Sequence, residues 1–341
     1  EANSLLEALG DNETGAQENR TRDDLKFDLD GMKEGLKSGM KDFAKTMEGT
    51  IKSAVENIKS FDFGGAMSNA FGAAKETSEK EIILSSDGIR GVDIKTGSGD
   101  VTAAGGEGQD ILIHAFVTCR GSDAQSAKQR ADEIEILQSL ENGILSIKDS
   151  GSGKQITGPY SVDYKITLPR GTDMNIKTMD GDVHMSALDG NLKVKNYSGD
   201  IVCEDNTGTL NINTKSGDLT TEGFSGSVEA RTLSGDITLK SINSDDVVCH
   251  ALSGDIEGEI NTGENPKIEI RTLSGDVDLK VPASSNFAIS AETLNGDISC
   301  GLPVEDVEEK AHCFSARLNK GDGKLSLSTK SGDISISELE S

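Results

Sequence analysis

From Val92 onward, apolar and polar residues alternate in short runs, and the runs meet at one recurring corner. Ser-Gly-Asp or a near variant places its Asp at Asp100, Asp182, Asp200, Asp218, Asp236, Asp255, Asp276, Asp297 and Asp333, at spacings of 82, 18, 18, 18, 19, 21, 21 and 36 residues. Glycine precedes each of them, at Gly99, Gly181, Gly199, Gly217, Gly235, Gly254, Gly275, Gly296 and Gly332. Eight residues before each Asp stand Val92, Met174, Leu192, Leu210, Val228, Val247, Ile268, Ile289 and Leu325. Six before stand Ile94, Ile176, Val194, Ile212, Ala230, Cys249, Ile270, Ala291 and Leu327. The residue four before is Thr except at Asn196 and Ala251, and the residue after Asp is always Val, Ile or Leu.

A period of two puts the apolar residues on one face and the intervening Lys, Glu, Arg and Thr on the other, so each unit reads as strand, corner, strand. Gly supplies a backbone free to take positive φ, and Ser and Asp bond nearby N–H groups. One such unit cannot stand alone in water, so neighbours stack and share an interior. Because every copy keeps one register, the expected fold is mainly β: a parallel β-helix or β-roll solenoid with coils of 18–21 residues. From Asp182 to Asp333 that makes a rod of about 40 Å at about 4.8 Å per coil. The double-length last gap suggests one missing corner and a polar loop from Pro303 to Lys310.

Before the repeat, strands are expected over Ile111–Val117, Ile134–Leu140, Ile144–Ile147 and Val162–Leu168, with a short helix from Ser122 to Ala131. The 82-residue gap is no multiple of 18, so this stretch is expected to cap one end of the rod. Further upstream the period changes. Leu25, Leu29, Met32, Leu36, Met40, Phe43, Met47, Ile51, Ala54 and Ile58 fall in steps of four, three and four, the 11-residue period of a nearly straight amphipathic helix. Gly31, Gly35, Gly39 and Gly49 weaken that helix in water, which suits one that forms on docking. Packing on its own β domain, contact with a membrane surface or membrane-bound regulator, and self-association through the helix all fit. The division expected is 1–22 linker, 23–80 amphipathic helix and apolar tail, 81–170 capping region and 171–341 solenoid.

Composition narrows the chemistry. With 34 Lys plus Arg against 59 Asp plus Glu, the net charge of −25 makes nucleic acid a poor partner. The absence of Trp and the 4% aromatic content argue against a large aromatic-lined pocket. Cys119, Cys203, Cys249, Cys300 and Cys313 lack CxxC or CxH spacing, so neither a zinc site nor a disulfide framework is expected. Cys203 and Cys300 fall at the same inward place and Cys249 at another, as core thiols. His114, His184, His250 and His312 show no partner spacing. One corner Asp per coil is a thin supply for calcium, whose β-roll needs a nine-residue unit. No catalytic residues, metal ligands or cofactor are therefore assigned. The first residues lack a basic and apolar leader pattern.

The Ser-Gly-Asp strands resemble the bacterial adhesin-like β-helix domain of unknown function found in LiaG-, LiaX- and YvlB-type proteins. The resemblance covers about residues 82–341. Glu1-Ala2-Asn3-Ser4-Leu5-Leu6-Glu7-Ala8-Leu9 is similar to the end of the SHOCT-like module that precedes that domain. The resemblance implies association with the cell envelope and a link to its stress response. The expected function is accordingly a non-catalytic scaffold, cytoplasmic and peripherally associated with the membrane through the N-terminal helix. The alternative is an exported surface rod that binds a polymer or peptide along its acidic side.

Overall fold

The computed structural model describes residues 74–153, 159–310 and 312–339. The helix expected between Leu25 and Ile58 lies outside them. Four strands open the described fold: β1 (Ala74–Ser85), β2 (Gly91–Lys95), β3 (Val101–Gly106) and β4 (Asp110–Gly121). β1 starts within the segment expected to be apolar tail. Helix α1 (Ala124–Glu133) follows, then β5 (Ile136–Glu141), β6 (Ile144–Asp149) and β7 (Tyr160–Pro169). A capping box at Asp123 and Ser126 starts α1, and the buried Ala127 and Ala131 face its neighbours.

From there the strands alternate between two parallel columns. The first holds β8 (Asp173–Lys177), β10 (Asp189–Lys195), β12 (Thr207–Ser216), β14 (Ser225–Ser234), β16 (Asp246–Ser253) and β18 (Lys267–Ser274). The second holds β9 (Val183–Ser186), β11 (Ile201–Glu204), β13 (Leu219–Glu222), β15 (Ile237–Asn243), β17 (Ile256–Asn261) and β19 (Val277–Val281). The described fold ends with β20 (Phe287–Asn295), β21 (Ile298–Cys300), β22 (Glu305–Lys310), β23 (Cys313–Leu318), β24 (Gly323–Ser331) and β25 (Ile334–Glu338).

The coils do not stack in chain order. β2 pairs with β6 on one side and β8 on the other, while β3 lies between β7 and β9. The coil that holds Asp100 is thus inserted between a coil made later, from β6 and β7, and the rest of the stack. The opposite end repeats the device. β24 lies between β18 and β20, and β25 between β19 and β21, so the last coil in the chain is the second-last rung.

This corrects the expectation of a loop from Pro303 to Lys310. Glu305–Lys310 is strand β22, antiparallel to β23, and β23 lies antiparallel on β20. The 36-residue spacing measures the path out through that hairpin and back inside, which no corner motif reports. At the other end β4 pairs antiparallel with β7, β1 with β4, and β5 with β6. Antiparallel strands thus cover three exposed rims of the parallel columns, which would otherwise present unpaired N–H and C=O groups.

Both apolar lanes named from the sequence point inward. Val92, Met174, Leu192, Leu210, Val228, Val247, Ile268, Leu325 and Ile289 are buried, as are Ile94, Ile176, Val194, Ile212, Ala230, Cys249, Ile270, Leu327 and Ala291. Each buried aliphatic side chain contributes roughly 1.5–3 kcal/mol, so these lanes are a main source of cohesion in the stack. Threonines line the inside of the corner, where Thr214 and Thr232 hydroxyls donate to the Ser216 and Ser234 carbonyls two residues on.

Candidate functional site

The corner aspartates form a single column on the outside of the stack. The Asp182 N–H donates to Asp100 Oδ1 at 2.9 Å, Asp200 to Asp182 at 2.8 Å, and Asp218 to Asp200 at 2.8 Å. Asp236, Asp255 and Asp276 continue the ladder at 2.9, 2.8 and 2.8 Å. Asp333 then donates to Asp276, and Asp297 to Asp333, both at 2.8 Å. Every one of these carboxylates except that of Asp297, on the last rung, therefore fixes the backbone of the next rung while its side chain remains exposed. Among the described residues, no group of three or more His, Cys, Asp or Glu is placed to hold a metal ion.

Glycine is required at this corner by contact as well as by φ. A Cβ on Gly217, whose φ is 117°, would lie 2.1 Å from the Gly199 carbonyl oxygen, and every corner glycine meets the preceding rung in the same way. The ladder also has a rung that the motif missed. The Asp100 N–H donates to Asp163 Oδ1 at 3.0 Å, and Val162 occupies the glycine position of that rung. Val162 opens the parallel ladder, with antiparallel β4 beside it rather than another corner, so the requirement lapses and Ser161-Val162-Asp163 escapes a search for glycine. A second glycine column, Gly190, Gly208 and Gly226, went unrecognised for a different reason. It spans only the 18-residue coils, where a Gly226 Cβ would lie 2.0 Å from the Gly208 carbonyl oxygen.

Two further lanes run beside the carboxylates. Three residues before the corner, Tyr197, Leu233 and Leu294 are 41%, 48% and 50% exposed, with the half-buried Met179, Leu252 and Leu273 in equivalent places. The Lys215 ammonium sits over the Tyr197 ring, 4.5 Å from its centroid. Five residues before the corner the lane is basic. Lys95 lies opposite Lys148 on one side and Lys177 on the other, and Lys177 lies opposite Lys195. Beyond Asn213, Arg231, His250 and Arg271 continue it, with His250 and Arg271 each 3.1 Å from Glu269 and Arg231 paired with Glu229, before Ser328 and Glu292 end it.

At the first rungs of the ladder an open groove of about 430 Å³ is lined by Lys75, Thr77, Asp100, Thr102, Phe116, Thr118, Asp163, Tyr164 and Lys165. Lys165 stands over the Phe116 ring at 5.6 Å, and His114 stacks beside it. The sequence offered no sign of this groove, since its residues come from four strands.

Residues 89–337, more than half of the chain, match the model of the Toastrack DUF4097 family. The chain belongs to that family. Among solved structures, this Toastrack chain is similar to a candidate adhesin from Bacteroides fragilis, at 16% identity and a TM-score of 0.46, over 78% of this chain and 98% of that one. A candidate cell adhesion protein from Clostridium sporogenes aligns at 13% identity and a TM-score of 0.27, over 77% and 100% of the two chains. A candidate lipid-binding protein from Parabacteroides distasonis aligns at 12% and 0.32, over 79% and 98%. These likenesses are too slight to transfer a ligand. No curated protein matches the Toastrack chain.

The thiols and histidines of the Toastrack domain carry ordinary surroundings. Burial pushes Cys203 and Cys249 up to about 12, and raises Cys119 and Cys300. Cys203 is fully buried as expected, whereas Cys300, on the outermost rung, is half-buried, and Cys313 is exposed. His184 contacts Glu204 at 3.0 Å and His114 contacts Glu79 at 3.0 Å, both on the outer surface. Among the described residues no helix is long and apolar enough to cross a membrane.

Proposed function

We propose that this Toastrack chain is a non-catalytic binding scaffold of the bacterial cell envelope, working in the envelope-stress response. Its amphipathic segment from Leu25 to Ile58 docks on a membrane surface or a membrane-bound regulator, and the solenoid presents the second binding surface. One observation supports the scaffold reading above others. The inward positions are filled by aliphatic side chains, while the outward ones repeat as straight acidic, apolar and basic lanes along the stack. Such lanes suit an extended partner rather than a reacting small molecule.

Flotation of the full chain with phosphatidylglycerol-containing vesicles tests the docking. Binding that disappears in Phe43→Glu/Met47→Glu supports it, and flotation that is absent or indifferent to that change contradicts it. The exposed aspartate column favours a second reading, an exported surface rod that binds a polymer or peptide along its acidic side. Protease treatment of intact cells separates the two: digestion of the protein favours the exported rod, and protection favours the inner face of the membrane.

A further inference from the structure

We propose that the outer edge of β5 is a dimerisation edge, at which two copies of this chain pair their Ile136–Glu141 strands antiparallel about a two-fold axis. Among the described residues, four strands end the two columns and pair on one side only: β5 and β22 in the first, β1 and β21 in the second. Such an edge invites another strand unless it is guarded, and three of the four are guarded. β22 reads Glu-Asp-Val-Glu-Glu-Lys, and its pairing with β23 is irregular. β1 is charged from Lys75 to Glu81 except at Thr77 and Ser78, and α1 lies against it, with the Lys128 ammonium donating to the Thr77 carbonyl. β21 is only three residues long. β5 has none of these devices. From Ile136 to Leu140 it is uncharged, without Pro, Gly or bulge, and every residue after Ile136 is exposed.

The backbone selects a second copy and its register. The Ser150 N–H donates to the Glu135 carbonyl, so in the β5–β6 register Glu135 and every second residue after it turn their backbone groups toward β6. Ile136, Gln138 and Leu140 turn theirs outward. An antiparallel copy meets all three only with Gln138 opposite Gln138, which sets Ile136 against Leu140 of the second copy on both sides of the axis. These side chains share the inner face with Leu145, Ile147 and Asp149, their buried neighbours on β6. Leu140 is 54% exposed there, and Ile136 of the second copy covers it. A neutral strand thus meets a neutral strand of the same kind, with Glu135 facing Glu141 only at the two exposed ends, where the cost is small. The net charge of −25 on each copy opposes association, so the dimer is expected to tighten as salt is added.

Sedimentation velocity of the full chain at about 50 μM tests this, with a dimer expected. Gln138→Pro removes an outward N–H and no bond to β6, and Leu140→Lys puts a charge on the edge without touching the backbone. Each should weaken dimerisation at least about tenfold. Val307→Lys, on the guarded edge of β22, should leave it unchanged. In a Cys313→Ser background, Gln138→Cys should form a disulfide-linked dimer under mild oxidation, since Cα atoms of a hydrogen-bonded antiparallel pair lie about 5.5 Å apart. Ser139→Cys should not, because residue 139 lies opposite residue 137 of the second copy. A monomer at this concentration, a dimer indifferent to Leu140→Lys, a dimer that weakens as salt is added, or readier cross-linking at 139 than at 138 overturns the inference.

Discussion

The backbone N–H of Asp333 donates to the carboxylate of Asp276, 57 residues earlier, at 2.8 Å, and Asp297 in turn donates to Asp333. Asp297 is thus not the neighbour of Asp276, although it is the next corner along the chain. The final coil lies between two coils that precede it in the chain, and at the other end the first coil lies between two that follow it. Inserted coils have a paired strand on both sides, so the free ends of the repeat are held inside the stack instead of fraying from it.

Corner glycines should be far less replaceable than glycines two residues away. Gly217→Ala drives a Cβ to 2.1 Å from the Gly199 carbonyl oxygen at a φ of 117°, which should cost about 3–5 kcal/mol. Gly97→Ala has nothing within 4 Å and should change stability by less than about 1 kcal/mol. Urea denaturation of both variants measures the contrast, and equal midpoints would contradict the contact argument.

The aspartate column combines useful hydrogen bonds with mutual repulsion. Asp218→Asn keeps an oxygen to accept the Asp236 N–H while removing one charge from the row, so its melting temperature should match or exceed the wild type's. Asp218→Ala loses that acceptor and should melt roughly 2–4 °C lower. Added sodium chloride should raise the wild-type melting temperature by screening the row. Scanning calorimetry at several salt concentrations checks all three, and an Asn variant as damaged as the Ala variant would refute the repulsive component.

Thiol labelling should follow burial. Cys313 is exposed and should alkylate in the native state, whereas Cys203 and Cys249, pushed up to about 12, should resist iodoacetamide until the fold opens. The sign for stability follows from the same shift. An unfolded thiol ionises near 9.0 and the folded one only near 12, so the folded state holds more protons in that window. Stability is complete below pH 9 and declines as pH rises toward 12. Peptide mass spectrometry of labelled protein and unfolding midpoints from pH 8 to 11 test both; native labelling of Cys203 at neutral pH would contradict the packing.

Local features were legible in the residues and long-range order was not. Gly and Asp at the corner, Thr four residues before, and the inward lanes are properties of each unit, so Ile212 and Cys249 were recognised as inward without a neighbour in view. The strands around Ile113 and Ile166 and the helix after Ser122 carried their own periodicity and fell close to their expected bounds. Spacing, however, reports order along the chain, and the placement of Asp100 and Asp333 inside the stack depends on which strand reaches an open rim. Asp163 escaped because Val162 has no such corner before it. The lysine lane escaped because Lys148 belongs to a coil without the glycine signature and joins Lys95 only through the inserted order.

Disulfide trapping tests that order most directly. In a Cys313→Ser background, Arg271→Cys paired with Ser328→Cys should cross-link readily under mild oxidation, because those residues are register partners on adjacent strands. Arg271→Cys paired with Glu292→Cys should not, since Ser328 lies between them. A cross-link between positions 271 and 292, with none between 271 and 328, would show coils stacked in simple chain order and would contradict the account.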